Sequence, residues 1–350
     1  MVTVPARDGN VVLAPHVFLL GAGASIAARH HWGGSGPALP SMQNLIEVLS
    51  LTGAVVAAGY DPKKIGFEEL YDEIASTGEH EDLRKQLETR VAEYFSALSL
   101  PDTPTIYDYL ILSLREKDLI ATFNWDPFLL QACIRNQKVI SRIPEIVFLH
   151  GNVKVGVCKK DKITGVQGHC CIKCGKQLTP SKLLYPVKQK NYAADAFIKG
   201  EWSKLRSRLS EAYFLTIFGY SAPVTDVEAR QLLLDSWTDN ESRSLSQIEL
   251  IDIAEEAALE KTWNDFFVRD HYSIKTDAFA SYSLWHPRRS CDAFAAATLM
   301  NKPWSDNPFP KFETLKELQA WVAPLIAEED AYAKAGAPFS GKPIAPNKEQ

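Results

Sequence analysis

Short apolar runs alternate along the chain with longer segments whose apolar residues recur at helical spacing. Five runs rich in Val, Ile, Leu and Phe predict buried strands at residues 17–20, 118–126, 145–151, 213–221 and 247–253, and residues 278–286 are a candidate sixth strand. Between the strands, positions such as Leu83, Leu87 and Val91 share one face of a helix. Strands that alternate with helices predict an α/β fold with a doubly wound parallel sheet and a helical layer.

The alternation is interrupted once, by a stretch that carries four of the six cysteines. We therefore expect a lead-in over residues 1–15 and one α/β domain over residues 16–334, with a small cysteine-bearing module inserted at 152–186. The Gly-, Pro- and Lys-containing tail over residues 335–350 is expected to be disordered. A chain of 350 residues is long enough to bury the core of such a domain.

Charge and hydropathy narrow the classes of partner. The net charge is −5 and no long basic run is present, so we expect no direct nucleic-acid binding. No apolar stretch reaches the roughly 18 residues that a membrane span needs. The N-terminus also lacks a basic segment followed by a cleavable apolar one, and we therefore expect a cytoplasmic protein with no membrane partner.

A glycine turn follows the first predicted strand, in the order Gly21-Ala22-Gly23-Ala24-Ser25, and runs into a predicted helix. Small residues between a strand and a helix N-terminus let a phosphate approach the backbone N–H groups. The third glycine of a dinucleotide fingerprint is replaced by Ile26, so the motif is incomplete. Tight packing of strand against helix is the alternative use of these glycines.

Polar or glycine residues end one predicted strand after another. Because ligands of a doubly wound sheet lie beyond the carboxyl ends of its strands, these residues predict a pocket along one edge. They are Gly21, Gly23, Ser25, Asn124, Asp126, His150, Gly151, Gly219, Ser221 and Asp252.

Two of these residues suit the cleavage of a glycosidic bond to a cationic leaving group. An Asn124 amide can hold a ribose hydroxyl or a water molecule, and a histidine such as His150 takes up a proton near neutral pH. Each residue alone has an ordinary structural explanation, as a turn asparagine or as a buried histidine with satisfied hydrogen bonds.

The ordered set of motifs resembles the sirtuin family over roughly residues 16–260. It comprises the glycine turn, Thr122-x-Asn124-x-Asp126, His150-Gly151, the cysteine cluster and Gly219-x-Ser221. Sirtuins have a Rossmann-like domain with a zinc-ribbon-like module, and they bind NAD+ and break its nicotinamide–ribose bond. The resemblance therefore implies NAD+ as the substrate.

The same resemblance implies a role for each matching residue. Asn124 and Asp126 would face the nicotinamide ribose, and His150 would be the general base, so these three form the catalytic set. The implied cofactor-binding residues fall into three groups along the chain. They are Gly21, Ala22, Gly23 and Ser25 at the pyrophosphate, Thr122 at the start of the Thr122-x-Asn124-x-Asp126 motif, and Gly219, Tyr220, Ser221 and Asp252 on the adenosine side.

Two departures separate this chain from the protein deacylases of the family. The loop Gly36-Pro-Ala-Leu-Pro-Ser41 has no Asp-Phe-Arg segment, and the bulky Trp125 follows Asn124. The chain therefore looks like the bacterial sirtuin-like NADases of antiphage defence, which hydrolyse NAD+ to ADP-ribose and nicotinamide. That resemblance implies a homo-oligomer and a separate sensor or activator subunit, such as a hexameric ATPase. A deacylase and a non-catalytic subunit that senses NAD+ or ADP-ribose are the alternatives.

The cysteine cluster predicts a structural zinc site. The spacing of Cys171 and Cys174 lets both thiolates face one tetrahedral metal ion, and Cys158 and Cys170 complete the expected ligand set. In place of Cys170, the fourth ligand could also be His169 or Asp161. The alternative is a reduced cysteine cluster that holds no metal.

Two adjacent arginines, Arg288 and Arg289, remain outside these motifs. We expect them to form an exposed basic corner or a subunit contact rather than a phosphate site.

Overall fold

Six parallel strands form the central sheet of the computed structural model, which describes residues 14–30, 39–140, 142–187, 191–223, 226–299 and 301–335. The strands of the chain are β1 (His16–Leu20), β2 (Leu119–Thr122), β3 (Glu145–Phe148), β4 (Val155–Cys158), β5 (Ile163–Val166), β6 (Thr179–Pro180), β7 (Phe214–Phe218), β8 (Gln247–Ile251) and β9 (Tyr272–Lys275). Most of the predicted lead-in, residues 36–38 of the loop that ends at Ser41, and the tail after residue 335 lie outside the described residues.

The strand order of the large sheet is β3-β2-β1-β7-β8-β9, and every neighbouring pair is parallel. Counted in chain order among these six strands, the order is 3-2-1-4-5-6, which is that of the Rossmann fold. The strand order reverses between β1 and β7, so the ligand crevice of such a fold lies beyond the ends of these two strands. The predicted doubly wound, Rossmann-like sheet is confirmed.

Helices cover both faces of this sheet. They are α1 (Ala22–His30), α2 (Leu45–Val48), α3 (Thr52–Ala57), α4 (Phe67–Thr77), α5 (Glu81–Ser96), α6 (Ile106–Ser113), α7 (Phe128–Asn136), α8 (Ala196–Leu209), α9 (Val227–Thr238), α10 (Glu256–Trp263), α11 (Tyr282–Trp285), α12 (Ser290–Thr298) and α13 (Leu315–Ala335). Within the described ranges, none of them has the length and apolar character needed to cross a membrane.

The side chains of β1 alternate between the two layers of the core. Phe18 and Leu20 pack in one cluster with residues of α1–α7, α11 and α13, whereas Val17 and Leu19 pack in the other with residues of α8, α9 and α10. All five residues of β1 are buried, as expected for the central strand of a parallel sheet.

Local capping residues set several helix ends. Thr105 and Asp108 form a capping box at the start of α6, which satisfies N–H groups that have no partner within the helix. The carboxylate of Asp195 accepts from the N–H groups of Phe197 and Ile198 at the start of α8. Gly78 follows α4 with φ +70°, in the left-handed conformation that favours glycine.

The predicted sixth strand at residues 278–286 is wrong. That segment forms a short 3-10 helix and α11, because Asp277 and Ser281 each accept a backbone N–H from a residue two positions ahead. The sixth strand is β9, which lies at the edge of the sheet beside β8.

A small antiparallel sheet, in the order β5-β4-β6, follows β3 and carries the cysteine cluster. It lies within the range predicted for the cysteine-bearing module.

The expectation of an exposed basic corner at Arg288 and Arg289 is wrong, because both residues are buried. Arg288 makes two hydrogen bonds of 2.6 Å to the carboxylate of Glu329, and Arg289 pairs with Glu328. Both glutamates belong to α13, so paired charges anchor this last helix to the start of α12.

Candidate active site

The glycine turn after β1 packs against the chain that leaves β7, at the point where the strand order reverses. The N–H of Gly21 donates to the carbonyl of Phe218, and the N–H of Gly23 donates to the carbonyl of Gly219, each at 3.0 Å. A Cβ atom at Gly219 would lie 2.5 Å from the Cα of Gly23. Close packing of the two backbone segments therefore explains why glycine occupies these positions. Both N–H groups donate within the protein, and the binding of a phosphate at this turn stays a prediction.

A pocket of about 340 Å³ lies beyond this turn. Nine of the predicted site residues line it, namely Gly21, Ala22, Ser25, Asn124, Asp126, His150, Gly219, Tyr220 and Ser221. Four predicted residues do not line it. One of them is Gly151, where a Cβ atom would lie 2.0 Å from the carbonyl oxygen of Lys182. Gly23 packs against Gly219, the hydroxyl of Thr122 accepts from the N–H of Asn124, and Asp252 accepts from the N–H of Ala254 beyond the end of β8.

The side chain of Asn124 is held from the protein side. Its amide nitrogen donates to the carbonyl of Gly21 at 2.7 Å and to the Ser25 hydroxyl at 2.9 Å. With both N–H groups engaged, the Oδ1 atom of Asn124 is the part of the amide that remains to accept a hydrogen bond from a ligand.

Ser25 is the centre of a buried network. Its hydroxyl donates to Oδ2 of Asp126 at 2.6 Å, so it accepts from the amide of Asn124 and from the hydroxyl of Tyr107, whose oxygen lies 2.8 Å away. The other carboxylate oxygen of Asp126 accepts from the N–H of Phe128. Asp126 therefore acts on the pocket through Ser25.

Burial changes the acidity of two groups in this network. Loss of hydration raises the pKa of Asp126 to about 6, although hydrogen bonds from Ser25 and Phe128 act in the opposite direction. Burial also raises the pKa of Tyr107 far above its ordinary value, so that its phenol stays protonated.

His150 lies across the pocket, just after β3. Its Nε2 atom is 3.2 Å from the hydroxyl of Tyr192 and 3.8 Å from Oδ1 of Asp226, and the ring packs edge-on against Phe123. Asp226 in turn accepts from the hydroxyl of Tyr220 at 3.2 Å. The histidine is 7% exposed, and it lines the pocket together with Phe123 and Tyr220.

The sequence reasoning missed Tyr107, Tyr192 and Asp226. Tyr107 lies within α6 and Tyr192 precedes α8, where neither residue belongs to a strand-end motif. Asp226 could have been found, because it follows Gly219-x-Ser221 closely and is an acidic residue at the start of a helix.

Apolar side chains form the opposite wall of the pocket, including Trp125, which is 6% exposed. Its ring lies edge-on to Phe95 and tilted against Tyr185, with centroid distances of 5.7 Å and 5.2 Å. Tyr185 also lines a larger cavity of about 620 Å³ between α5 and the cysteine-bearing module. The packed pair of Trp125 and Tyr185 therefore stands between that cavity and the pocket.

Three thiols and one carboxylate converge in the cysteine-bearing module. The sulfur atoms of Cys158, Cys171 and Cys174 and an oxygen of Asp161 all lie within 4.8 Å of one another. Thiolate and carboxylate ligands suit tetrahedral zinc, and a four-ligand set is typical of a structural site.

Of the candidates for the fourth ligand, Asp161 lies in this group. Cys170, which the sequence analysis placed in the ligand set, does not. It is exposed, and its backbone forms a bridge with Gln177 instead.

Comparisons with known proteins give similarities to solved structures alone. No protein-family model matches the chain, and no curated protein sequence matches it. The chain is similar to a Sir2 homologue in complex with NAD, with 16% identity, a TM-score of 0.40, and coverage of 75% of this chain and 84% of that one. It is also similar to Sir2 in complex with an inhibitor, 2'-O-acetyl-ADP-ribose and a deacetylated p53 peptide, with 15% identity, a TM-score of 0.37, and coverage of 82% and 94%. The assignment of the fold rests on the strand order of this chain.

Proposed function

We propose that this protein is an NAD+ glycohydrolase, which cleaves the nicotinamide–ribose bond to give ADP-ribose and nicotinamide. The observation that carries the proposal is the meeting of Asn124 and His150 in one pocket, at the reversal of strand order. The resemblance of the ordered motifs to sirtuins supplies the substrate class.

In the proposed reaction, the bond from the ribose carbon to the nicotinamide nitrogen breaks, and a water oxygen forms a new bond to that carbon. His150 takes a proton from the attacking water, and the nicotinamide leaves as a neutral molecule with the electron pair of the broken bond. Asn124, with its nitrogen held by Gly21 and Ser25, offers Oδ1 to a ribose hydroxyl or to the water. The fixed amide keeps the reacting groups in position without any cost of ordering it during the reaction.

The wall at Trp125 favours water as the acceptor over an acyl-lysine. A deacylase must bring a peptide side chain to the ribose, and the packed rings of Trp125 and Tyr185 separate the pocket from the neighbouring cavity. Water needs no such passage. The deacylase therefore ranks second and the non-catalytic sensing subunit third.

As part of the same proposal, the protein acts in bacterial antiphage defence by depleting NAD+. We propose that it works as a homo-oligomer in the cytoplasm and is activated by a separate sensor subunit, for which a hexameric ATPase is one candidate. The support for this part is the resemblance to sirtuin-like defence NADases, which follows from the two departures from the deacylases, in the loop over residues 36–41 and at Trp125.

The test is NAD+ consumption by the purified protein, alone and co-expressed with the products of neighbouring genes, followed by chromatography of the products. We expect ADP-ribose and nicotinamide, and loss of both with His150→Ala or Asn124→Ala. Formation of acyl-ADP-ribose only in the presence of an acylated peptide would support the deacylase instead. Nucleotide binding without turnover under every condition would support the sensing subunit.

A further inference from the structure

Asp226 and His150 form a buried pair that none of the motifs includes. Their side chains are 5% and 9% exposed, and Oδ1 of Asp226 lies 3.8 Å from Nε2 of His150. The two residues come from distant parts of the chain, since His150 follows β3 and Asp226 immediately precedes α9. Packing of the sheet edge brings them together.

The carboxylate of Asp226 does not serve the helix that it precedes. An aspartate at this position commonly accepts from the first N–H groups of the helix, but the Asp226 side chain makes no such capping bond. One of its oxygens instead accepts from Tyr220 at 3.2 Å, and the other lies toward His150. Tyr220 therefore fixes the direction in which the carboxylate faces the imidazole.

Aromatic rings surround this pair. Phe123 lies flat against Tyr220, with ring centroids 4.0 Å apart, and edge-on to His150 at 4.9 Å. The ring of Tyr192 is nearly parallel to the imidazole at 6.0 Å. Because apolar neighbours exclude water, a charge on one member of the pair acts strongly on the other.

We propose that Asp226 is the positioning residue of His150, which orients the imidazole and stabilises the imidazolium that forms when His150 accepts a proton. This inference rests on the proposed role of His150 as general base. The carboxylate stays ionised and takes no proton, as in other histidine–carboxylate pairs of hydrolases.

The carboxylate of Asp226 is an acidic group that the structure places 3.8 Å from a ring nitrogen of His150. Among the described residues, Tyr192 and Tyr220 are phenols whose pKa values burial raises, so both are neutral. Asp126 lines the same pocket, but its carboxylate is engaged with Ser25 and Phe128. Glu68 also lines the pocket, from α4. Glu228 is exposed on α9, two positions after Asp226.

The test compares Asp226→Asn with Glu228→Gln, which removes the same charge from an exposed site on the same helix. The first readout is the titration of the His150 ring by NMR, with the resonance assigned from its absence in His150→Gln. Because a nearby negative charge favours the imidazolium, we expect the midpoint in Asp226→Asn to lie about 1 to 2 pH units below that of the wild type. Glu228→Gln should titrate within about 0.3 units of the wild type.

The second readout separates kcat from KM. Asp226→Asn should lower kcat by about 100-fold or more and change KM by less than about threefold, because the pair acts when the proton moves. The acid limb of its pH–rate profile should move to lower pH, in step with the NMR midpoint. Asp226→Glu, which keeps the charge, should restore the wild-type midpoint and part of kcat.

The proposal is overturned if Asp226→Asn and Glu228→Gln give the same His150 midpoint. Should Asp226→Asn fail to fold, Asp226→Ser gives the same comparison, since serine removes the charge and is a favoured residue at the start of a helix. The NMR result does not depend on turnover. Absence of NAD+ hydrolysis in the wild type would therefore refute the proposed function while the titration still decides whether the pair exists.

Discussion

The N–H of Gly23 donates to the carbonyl of Gly219 at 3.0 Å. This contact joins the segment after β1 to the segment after β7, beside the pocket. Gly219 has φ +60°, and a Cβ atom there would lie 2.5 Å from both the Cα of Gly23 and the N of Ala24. Neither a different rotamer nor a flexible neighbour can relieve a collision with backbone.

Gly219→Ala should therefore lower the free energy of unfolding by about 3 kcal/mol or more, measured by urea denaturation. Two further alanine variants separate the backbone collision from the cost of a positive φ. Gly59→Ala also meets a positive φ, of +90°, but in open space, and it should lose only about 1 kcal/mol. Gly200→Ala lies in α8 with no atom within 4 Å and should gain about 0.5 to 1 kcal/mol. Equal losses at Gly219 and Gly59 would contradict the collision.

His16 should make the protein sensitive to acid. Burial lowers the pKa of His16 from 6.5 to about 3, and its ring nitrogens bond to Ser290 and Thr216. The unfolded chain takes up a proton on His16 near pH 6.5, but the native state does not until about pH 3. Stability is therefore full above pH 6.5 and falls as the pH drops, by up to about 5 kcal/mol from this group.

His16→Gln should be less stable than the wild type at pH 7 and lose less stability between pH 6.5 and 4, as measured by urea denaturation across that range. The control is His80→Gln, at an exposed position, in which the unfolding free energy should change with pH as it does in the wild type. An unchanged slope in His16→Gln would show that this histidine is not the source.

Asp126 should change the stability in the opposite direction within the same pH range. Burial raises its pKa from 3.8 to about 6, so the native state holds this proton more tightly than the unfolded chain does. The contribution is full below about pH 4 and is lost as the pH rises through 6, and it amounts to about 3 kcal/mol.

Asp126→Asn, which resembles the protonated acid in shape and charge, should therefore gain stability relative to the wild type as the pH is raised from 4 to 7. The difference in unfolding free energy between the two proteins measures the effect. Asp239→Asn, at an exposed position, should show no such trend. A constant difference for Asp126→Asn would mean that the carboxylate is ionised throughout.

The purified protein should hold one zinc ion per chain, bound by Cys158, Asp161, Cys171 and Cys174. Cys171→Ser and Asp161→Ala should each weaken zinc binding by more than about tenfold and lower the melting temperature, as measured by metal analysis and by thermal unfolding with and without a chelator. Cys170→Ser should keep both properties, because Cys170 lies outside the ligand group. Equal zinc loss in Cys170→Ser and Cys171→Ser would contradict this assignment.

The apolar runs located the central strands because parallel strands are buried on both faces and leave a continuous hydrophobic signal. The edge strand β9 escaped because all four of its residues are only partly buried, so its sequence Tyr-Ser-Ile-Lys carries a weak pattern. At residues 278–286, the capping side chains of Asp277 and Ser281 favour helical turns, although the apolar residues of this segment also suit a strand.

The residues of the pocket could likewise be predicted only in part. Asn124 and His150 could be predicted because parallel strands end at one edge, which makes a residue's place in the chain informative about its place in space. Tyr107 reaches Ser25 from within α6, and Asp226 reaches His150 from the start of α9. Such contacts depend on how a helix is rotated and docked, which the order of residues does not specify.

The position of β1 at the centre of the sheet has a consequence for synthesis of the chain. Its partner on one side is β7, and the register pairs His16 with Phe214, nearly two hundred residues later. At about 5–20 residues per second, a ribosome needs about 10 to 40 s to make that partner after β1 has emerged. Throughout this interval one edge of a strand that is fully buried in the folded protein lies open on the nascent chain, where chaperones or a premature neighbour can reach it.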